Sequence, residues 1–497
     1  MRLRVASRKS DLARWQAVQV ARALERHASR PSIEFIFKAS LGDLNQDVPL
    51  DAMGSKGVFT EDFYEDLKSG QCDIVVHSWK DLPIEPRAET QIVMTMPRAD
   101  VRDLLLIPED VWQQTVRTGT LKILTSSPRR VYNLAPILPA MLPTDVTVEF
   151  APIRGNVPTR LARMHEMKAG MILAKAGLDR LLQAESEGFL KNEVPIRAQI
   201  NKCRFMVLPI SVNPPAPAQG ALAVEVACTN EQVLSLCKSL SNEATFKAAG
   251  QEREILHKYG GGCHQKIGVA VQTRAFGLIT SLRGQTDAGE ILNEWKIANR
   301  TPWSPAAHVE NIFPLKPADN QWFERTAVKA DPSALAEPGA LMVARADAWP
   351  RGYAAPMSQI VWTAGVKSWT KLAAAGVWVH GCTDGLGEDE DPNLNFMCDS
   401  LSWCKLTHSR AAGAQDIITY ELTAREEYPD LNGKTHFFWM SGTSFDRAVK
   451  LFPRIVSDGF HACGPGSTFK HLQGISGLKH PVKVFIGLEQ FLAETLP

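Results

Sequence analysis

Cys263 stands directly behind Gly260, Gly261 and Gly262 in the stretch YGGGCHQKIG, with His264, Gln265 and Lys266 following. Glycines open main-chain angles closed to other residues and let a bulky group approach the backbone. A thiol placed there cannot pack as a small hydrophobe, and the setting suits a sulfur that carries something large. A second set of groups follows a series of strand-like runs. Arg8, Lys9 and Ser10 come after RLRVAS, Lys80 and Asp81 after CDIVVHS, and Arg129 and Arg130 after LKILTSS. Arg154, Gly155 and Asn156 come after VTVEFAPI, with Arg160 about one turn further on, and Arg180 lies behind GMILAKAG. Arginine binds carboxylates through two parallel hydrogen bonds and keeps its charge. Six arginines at strand ends therefore point to a ligand with several carboxylates or phosphates. Neither a Walker A loop nor GxGxxG occurs, which argues against a nucleotide.

The elements that must position these groups can be read from the same runs. RLRVAS, IEFIFKAS, CDIVVHS, LKILTSS, VTVEFAPI, GMILAKAG and ALAVEVAC read as strands. Between them lie amphipathic helical stretches, among them DLARWQAVQVARALERH, TEDFYEDLKSG and VPTRLARMHEMKAG. Strand and helix in alternation imply an α/β fold with mostly parallel sheets, in which ligands bind at the carboxyl ends of the strands.

Bulk properties narrow the function further. The chain has 497 residues, enough for three or four domains at roughly 100–200 residues each. Its 55 Lys and Arg balance 54 Asp and Glu, leaving a net charge of +1 and no global field to attract nucleic acid. Nine scattered cysteines form no CxxC, so neither a zinc site nor a disulfide framework is indicated, and no metal is expected. The charged opening MRLRVASRK does not fit a signal peptide, and no run of about 18 apolar residues occurs. A cytoplasmic monomer is expected, with no nucleic-acid or membrane partner. His77 and His264 could shuttle protons, but each is expected to be a satisfied structural histidine.

The motifs together resemble those of the hydroxymethylbilane synthase (porphobilinogen deaminase) family. ASRKSDLARWQ, GSKGVFTEDF, VHSWKDLP, SSPRRVYNLA, IRGNVPTRLARM, AGLDRL, PAPAQGALAVE and GGGCHQKIG occur in family order over roughly residues 1–300. The resemblance implies that four porphobilinogen molecules are joined head to tail, with loss of ammonia, on a dipyrromethane primer. It implies a thioether from that primer to Cys263. It carries primer binding onto Arg129, Arg130, Ser127, Lys56 and Asp81, and substrate binding onto Arg8, Ser10, Arg154, Asn156, Arg160 and Arg180. Asp81, assisted by Lys80, is implied as the catalytic carboxylate, which would stabilise the cationic pyrroles formed as ammonia leaves and the chain grows. Asp11 and Ala52 depart from the usual pattern, at a proline and a lysine respectively.

The resemblance also implies three domains. Residues 1–97 with 214–237 would form a first lobe and residues 98–213 a second. Residues 238–304 would form a small α+β domain carrying Cys263, and segments near 97–100 and 213–218 would cross between the lobes. The stretch 183–213 is long for the family and is expected to add a surface element. Residues 305–337 read as a linker, and 338–497 as an additional α/β domain loosely similar to uroporphyrinogen-III synthase. ALMVARAD, SQIVWTAG, GVWVHG and HFFWMSGTS read there as strands. That domain is expected either to close the bilane or only to dock. A non-catalytic, two-lobed binder of anionic ligands is the remaining alternative for the whole chain.

Overall fold

The computed structural model describes residues 1–39, 60–190, 194–260, 265–298, 306–411 and 413–497. They form a mixed α/β structure with five sheets. In the first sheet, Arg2–Arg8 runs parallel to Ser32–Lys38 and to Ile74–Ser78. Leu222–Ala227 then inserts antiparallel between Ile74–Ser78 and Thr90–Met94. The helix Asp11–Glu25 follows the first strand, with Ser10 as its N-cap residue, and buries Trp15, Ala17, Val20, Ala21 and Leu24. Ala17, Val20, Ala21 and Leu24 recur at spacings of three and four residues and line one helical face, which packs on the sheet.

The second sheet has the strand order Thr147–Ala151, Thr120–Leu124, Gly170–Ala174, Asp103–Pro108, Cys203–Val207. Asp103–Pro108 is antiparallel to both of its neighbours. The chain thus leaves the first sheet after Met94, builds the second, and returns to the first at Leu222. The outgoing and returning passages touch: Ala99 N–H donates to Gly220 C=O at 3.2 Å. Gly220 has φ +84°, and a Cβ there would lie 2.5 Å from the Ala99 carbonyl oxygen, so this crossing admits only glycine without rearrangement.

A third, antiparallel sheet of Gly268–Arg274, Gly277–Gln285 and Ile291–Ala298 is stitched onto the returning passage. Val269 N–H donates to Pro215 C=O at 3.0 Å. Glu252, wholly buried on the helix Glu243–Lys258, accepts from both Arg98 nitrogens at 2.7 and 2.6 Å. It also accepts from Ala218 N–H at 2.7 Å and Val271 N–H at 2.8 Å. One carboxylate therefore ties both crossing passages to the third sheet.

The C-terminal half builds the two remaining sheets. A parallel sheet joins Ile312–Phe313, His436–Trp439, Phe460–Cys463 and Lys483–Val484. A six-stranded sheet, drawn from residues 323–424, lies between those strands in sequence. The segment 306–337, read from sequence as a linker, is structured: Ile312–Phe313 and Phe323–Ala327 are edge strands of the two sheets, and Trp322 is fully buried between them. Its prolines and short apolar pairs hide strands of two and five residues from pattern reading. GVWVHG forms a ladder only at Gly381, because Val377–His380 spend their hydrogen bonds irregularly, His380 C=O accepting from Val207 N–H at 2.7 Å. The stretch 183–213 is no surface addition, since its strand Cys203–Val207 closes the second sheet.

The halves share their hydrophobic cores. Leu105, Leu121 and Ile123 of the second sheet and Met141 of the helix Leu138–Met141 cluster with Leu341, Val343 and Leu406 of the six-stranded sheet and Trp369 of the helix Val366–Ala374. Trp369 Nε1 donates across this boundary to Met141 C=O at 2.9 Å. Fully buried side chains of this size each contribute about 1.5–3 kcal/mol, so the C-terminal half is part of the fold's main core.

Candidate active site

The strand Ile74–Ser78 ends in a tight turn, Trp79–Asp81, and everything that follows depends on how that turn is held. Trp79 is buried against Phe246, with ring centroids 5.2 Å apart. Arg253, one residue after Glu252, donates to the carbonyls of Trp79 at 3.3 Å and Leu82 at 3.1 Å, and also to that of Pro83. A planar guanidinium satisfying successive carbonyls fixes the turn from behind. Asp81 is left exposed, in a cleft of ≈ 80 Å³ that it shares with Arg8, Ser10, Gln16 and His77. Lys80 does not pair with it. The residue is half-buried, and its ammonium donates to Gln219 Oε1 at 3.3 Å. Burial pushes the Lys80 ammonium's pKa down, with Arg130 and Arg129 adding to the effect and Asp81 and Asp103 opposing it.

Across from this turn stands the start of the second sheet. Asp103, fully buried, accepts five hydrogen bonds. Arg129 Nη2 donates to it at 2.9 Å, and Arg130 donates through Nε at 3.0 Å and Nη2 at 2.7 Å. Asn213 Nδ2 and Gln219 Nε2 donate at 2.9 Å each. Burial alone would raise the Asp103 pKa, but the two guanidiniums overcome it and hold the carboxyl well below the usual carboxylate range. Arg129 and Arg130 are themselves only 4% and 7% exposed, and further bonds to Pro214 C=O at 2.6 Å and Ile172 C=O at 3.1 Å occupy them. The two arginines expected to hold a ligand are thus first of all held by Asp103. Two guanidiniums against one carboxylate leave this wall a net positive charge.

The other expected groups sort themselves by position. Arg160 and Arg154 are half-buried near Arg130. Burial lowers the Arg160 pKa, as do Arg130 and Arg154, against the opposing pull of Asp81, so the four charges feel one another directly. Arg160 Nε donates to Gly155 C=O at 2.7 Å. Asn156 caps the helix Val157–Glu166, accepting from Thr159 N–H at 2.9 Å. Ser127 caps Pro128–Leu134 through the Arg130 N–H at 3.5 Å. Arg180 stands apart from the cluster: it donates to Gly220 C=O at 2.7 Å in the crossing, and burial brings its pKa down to about 10. His77 is structural, its Nε2 2.9 Å from Glu225 Oε2, whose other oxygen accepts from Thr90 Oγ1 at 2.5 Å.

Lys56 and Cys263, with Ala52 and His264, lie outside the described residues. Gln265 and Lys266, which follow that stretch, are described. Gln265, buried, donates to Tyr259 C=O at 2.8 Å. Lys266 Nζ lies 5.6 Å from the centre of the Tyr132 ring, on the helix that carries Arg129 and Arg130. Sequence reading missed Asp103, Gln219, Arg253 and Glu252, the residues that hold the turn and the arginines. The one available signal was a lone acidic residue opening an apolar run, DLLLIP.

Residues 3–235 match the family model described as porphobilinogen deaminase, dipyromethane cofactor binding domain. The porphobilinogen deaminase of Lachnospira eligens is 34% identical over 298 residues, 59% of this chain and 92% of that one. The chain belongs to the porphobilinogen deaminase family. The porphobilinogen deaminase of Syntrophomonas wolfei is 35% identical over 289 residues, covering 57% of this chain and 86% of that one. Among solved structures, the periplasmic domain of BvgS from B. pertussis overlaps at a TM-score of 0.26 and 12% identity, over 53% of this chain and 44% of that one. The chain is accordingly a transferase of tetrapyrrole synthesis, a hydroxymethylbilane synthase, and the matched domain is the one that binds the dipyrromethane cofactor. The site's chemistry fits such a group. Its walls carry Arg8, Lys80, Arg154, Arg160 and the surplus charge of the Arg129–Arg130–Asp103 cluster, which suits a ligand bearing several carboxylates. No helix among the described residues is long and apolar enough to cross a membrane.

Proposed function

We propose that Asp81 is the catalytic carboxylate of this synthase and that the facing cationic wall holds the acids of substrate and chain. The observation that carries this reading is the exposed Asp81 on a turn clamped by Arg253, opposite Arg130, Arg154 and Arg160. When bound, the dipyrromethane supplies the pyrrole terminus to which each new unit is added, and Cys263 is its attachment point. The Asp81 carboxylate accepts a hydrogen bond from the pyrrole N–H of incoming substrate and stabilises positive charge as ammonia leaves. Its fixed position lets the same oxygens serve again when the newly joined ring loses its proton. Arg8, Ser10, Arg154, Asn156 and Arg160 bind acetate and propionate side chains, with Lys56 and Ser127 on the same surface. Lys80, Arg129 and Arg130 contribute positive field and shape the wall, while Arg180 secures the crossing through the Gly220 carbonyl. The two first sheets act as lobes that meet at the Ala99–Gly220 crossing, and residues 238–304 form the domain that carries Cys263. The enzyme works as a monomer in the cytoplasm on small-molecule porphobilinogen.

For residues 306–497 one observation favours the cyclase reading over a purely docking one. The parallel sheet takes its first strand from Ile312–Phe313 and the rest from 436–484, so two passages join it to the inserted sheet. Two sheets joined twice form a hinged pair able to close on a ligand. Incubating the full chain with porphobilinogen tests both parts. Ammonia release with a linear bilane is expected from the synthase, and a macrocycle with one inverted ring from a working cyclase. No consumption of porphobilinogen would overturn the first assignment, and exclusive formation of the uninverted macrocycle would overturn the second.

A further inference from the structure

A crevice of ≈ 1460 Å³ opens where the second sheet meets the C-terminal half. One wall comes from the strand and helix around Glu109, Trp112 and Arg204, the other from residues 346–360 and 371–380. It is remote from the catalytic wall. Strand Asp103–Pro108 starts at the Asp103 cluster and ends beside Glu109, and its five steps of about 3.3 Å each put its ends roughly 17 Å apart.

Three features of the crevice converge on one kind of ligand. Its walls are aromatic: Trp112 and Trp378 meet edge to face at 4.9 Å, and Trp349 and Tyr353 lie 5.4 Å apart. Trp378 is fixed in place, its Nε1 donating to Phe205 C=O at 3.1 Å. His380, only 6% exposed, also lines the space. Its Nδ1 accepts from Val361 N–H at 3.1 Å, so Nε2 carries the proton, and Nε2 meets no acceptor among the described residues. Burial, with Arg204 adding to it, brings the ring's pKa down to about 3, so it stays a neutral donor at ordinary pH. The third feature is charge. Lys202, Arg351 and Lys371 are exposed and have no ion-pair partner among the described residues, while Arg204 is held by Glu109 at 2.7 and 3.1 Å. Four cations thus face two carboxylates, Glu109 and Asp110, in a chain whose whole net charge is +1.

We propose that this crevice is a second ligand site, for a flat aromatic acid that bridges the two halves of the chain. The ring system lies against Trp378, Trp349 and Tyr353, where flat faces stack most favourably. An acceptor atom on the ring meets His380 Nε2–H, and the acid groups meet Lys202 and Arg351 from opposite walls. Because both halves supply contacts, bound ligand stabilises their packing by mass action.

The test is titration of the full chain with 1-pyrenebutyrate, read by tryptophan fluorescence and melting temperature, with 1-pyrenebutanol as the uncharged counterpart. The acid is expected to saturate one site, quench tryptophan emission and raise the melting temperature, with the alcohol binding about tenfold more weakly. Lys202→Glu combined with Arg351→Glu changes only exposed side chains. It is expected to weaken the acid by about tenfold or more while leaving the free protein's melting temperature unchanged. No saturable binding, equal binding of acid and alcohol, or unchanged affinity in the double variant would overturn the proposal. Displacement of the probe by excess porphobilinogen would also overturn it, by placing the probe at the catalytic wall instead.

Discussion

Asp81→Asn is expected to lower kcat by on the order of 10²-fold or more, the usual cost of removing one preorganised electrostatic group. The substitution keeps the size and shape of the side chain but removes the negative charge that faces developing positive charge on the pyrrole. It also offers an N–H where the substrate's own N–H needs an acceptor. Asp81 is exposed and the clamp on its turn runs through Arg253 to backbone carbonyls, so the fold loses nothing when the carboxylate goes. Steady-state kinetics beside a melting curve would separate the two effects. A large fall in kcat at constant melting temperature is the expected pair of results, and near-normal turnover would remove Asp81 from the chemistry.

Asp103→Ala is expected to destabilise the protein by about 3–5 kcal/mol, because it strands two buried guanidiniums without their counter-charge. Five hydrogen bonds vanish together, and Arg129 and Arg130 cannot reach water without opening the crossing. The effect carries a pH signature. The folded-state pKa of Asp103 lies below its unfolded value of about 3.9, so the stability it contributes is fully present above that pH. As pH falls below about 4 the unfolded carboxyl takes up a proton first, and the contribution is progressively lost. Chemical denaturation at several pH values should therefore show a gap between wild type and variant that is constant near neutrality and narrows in acid. A variant as stable as wild type at pH 7 would mean that Asp103 does not hold the arginines.

Much of the site was legible because its residues sit at a place the chain marks. Strands such as CDIVVHS are apolar runs that stop at a charged residue, and in an α/β fold that stop faces the ligand. Arg8, Ser10 and Asp81 were found in this way and do share a cleft. What the pattern could not convey was which charges are spent within the protein. Arg129 and Arg130 look like free ligand arms from sequence, yet the acceptor that claims them lies 26 and 27 residues away. Asp103 itself, opening DLLLIP, reads as a solvated strand end, because nothing local reveals that Asn213 and Gln219 return to it from more than a hundred residues on. The same limit applies to the C-terminal half. Periodicity shows that Trp369 lies on an apolar helix face but not that this face meets Met141 in the other half. Short edge strands such as Ile312–Phe313 are defined by their partners, and so carry no periodic signal of their own.

On the proposed function, the chain builds its product on a primer anchored at Cys263 and worked on by Asp81. Intact mass of the purified wild-type chain beside its Cys263→Ala variant tests it most directly. A mass excess of two linked pyrrole units in the wild type, absent from the variant, is the expected result. A bare wild-type mass that persists after incubation with porphobilinogen would contradict it.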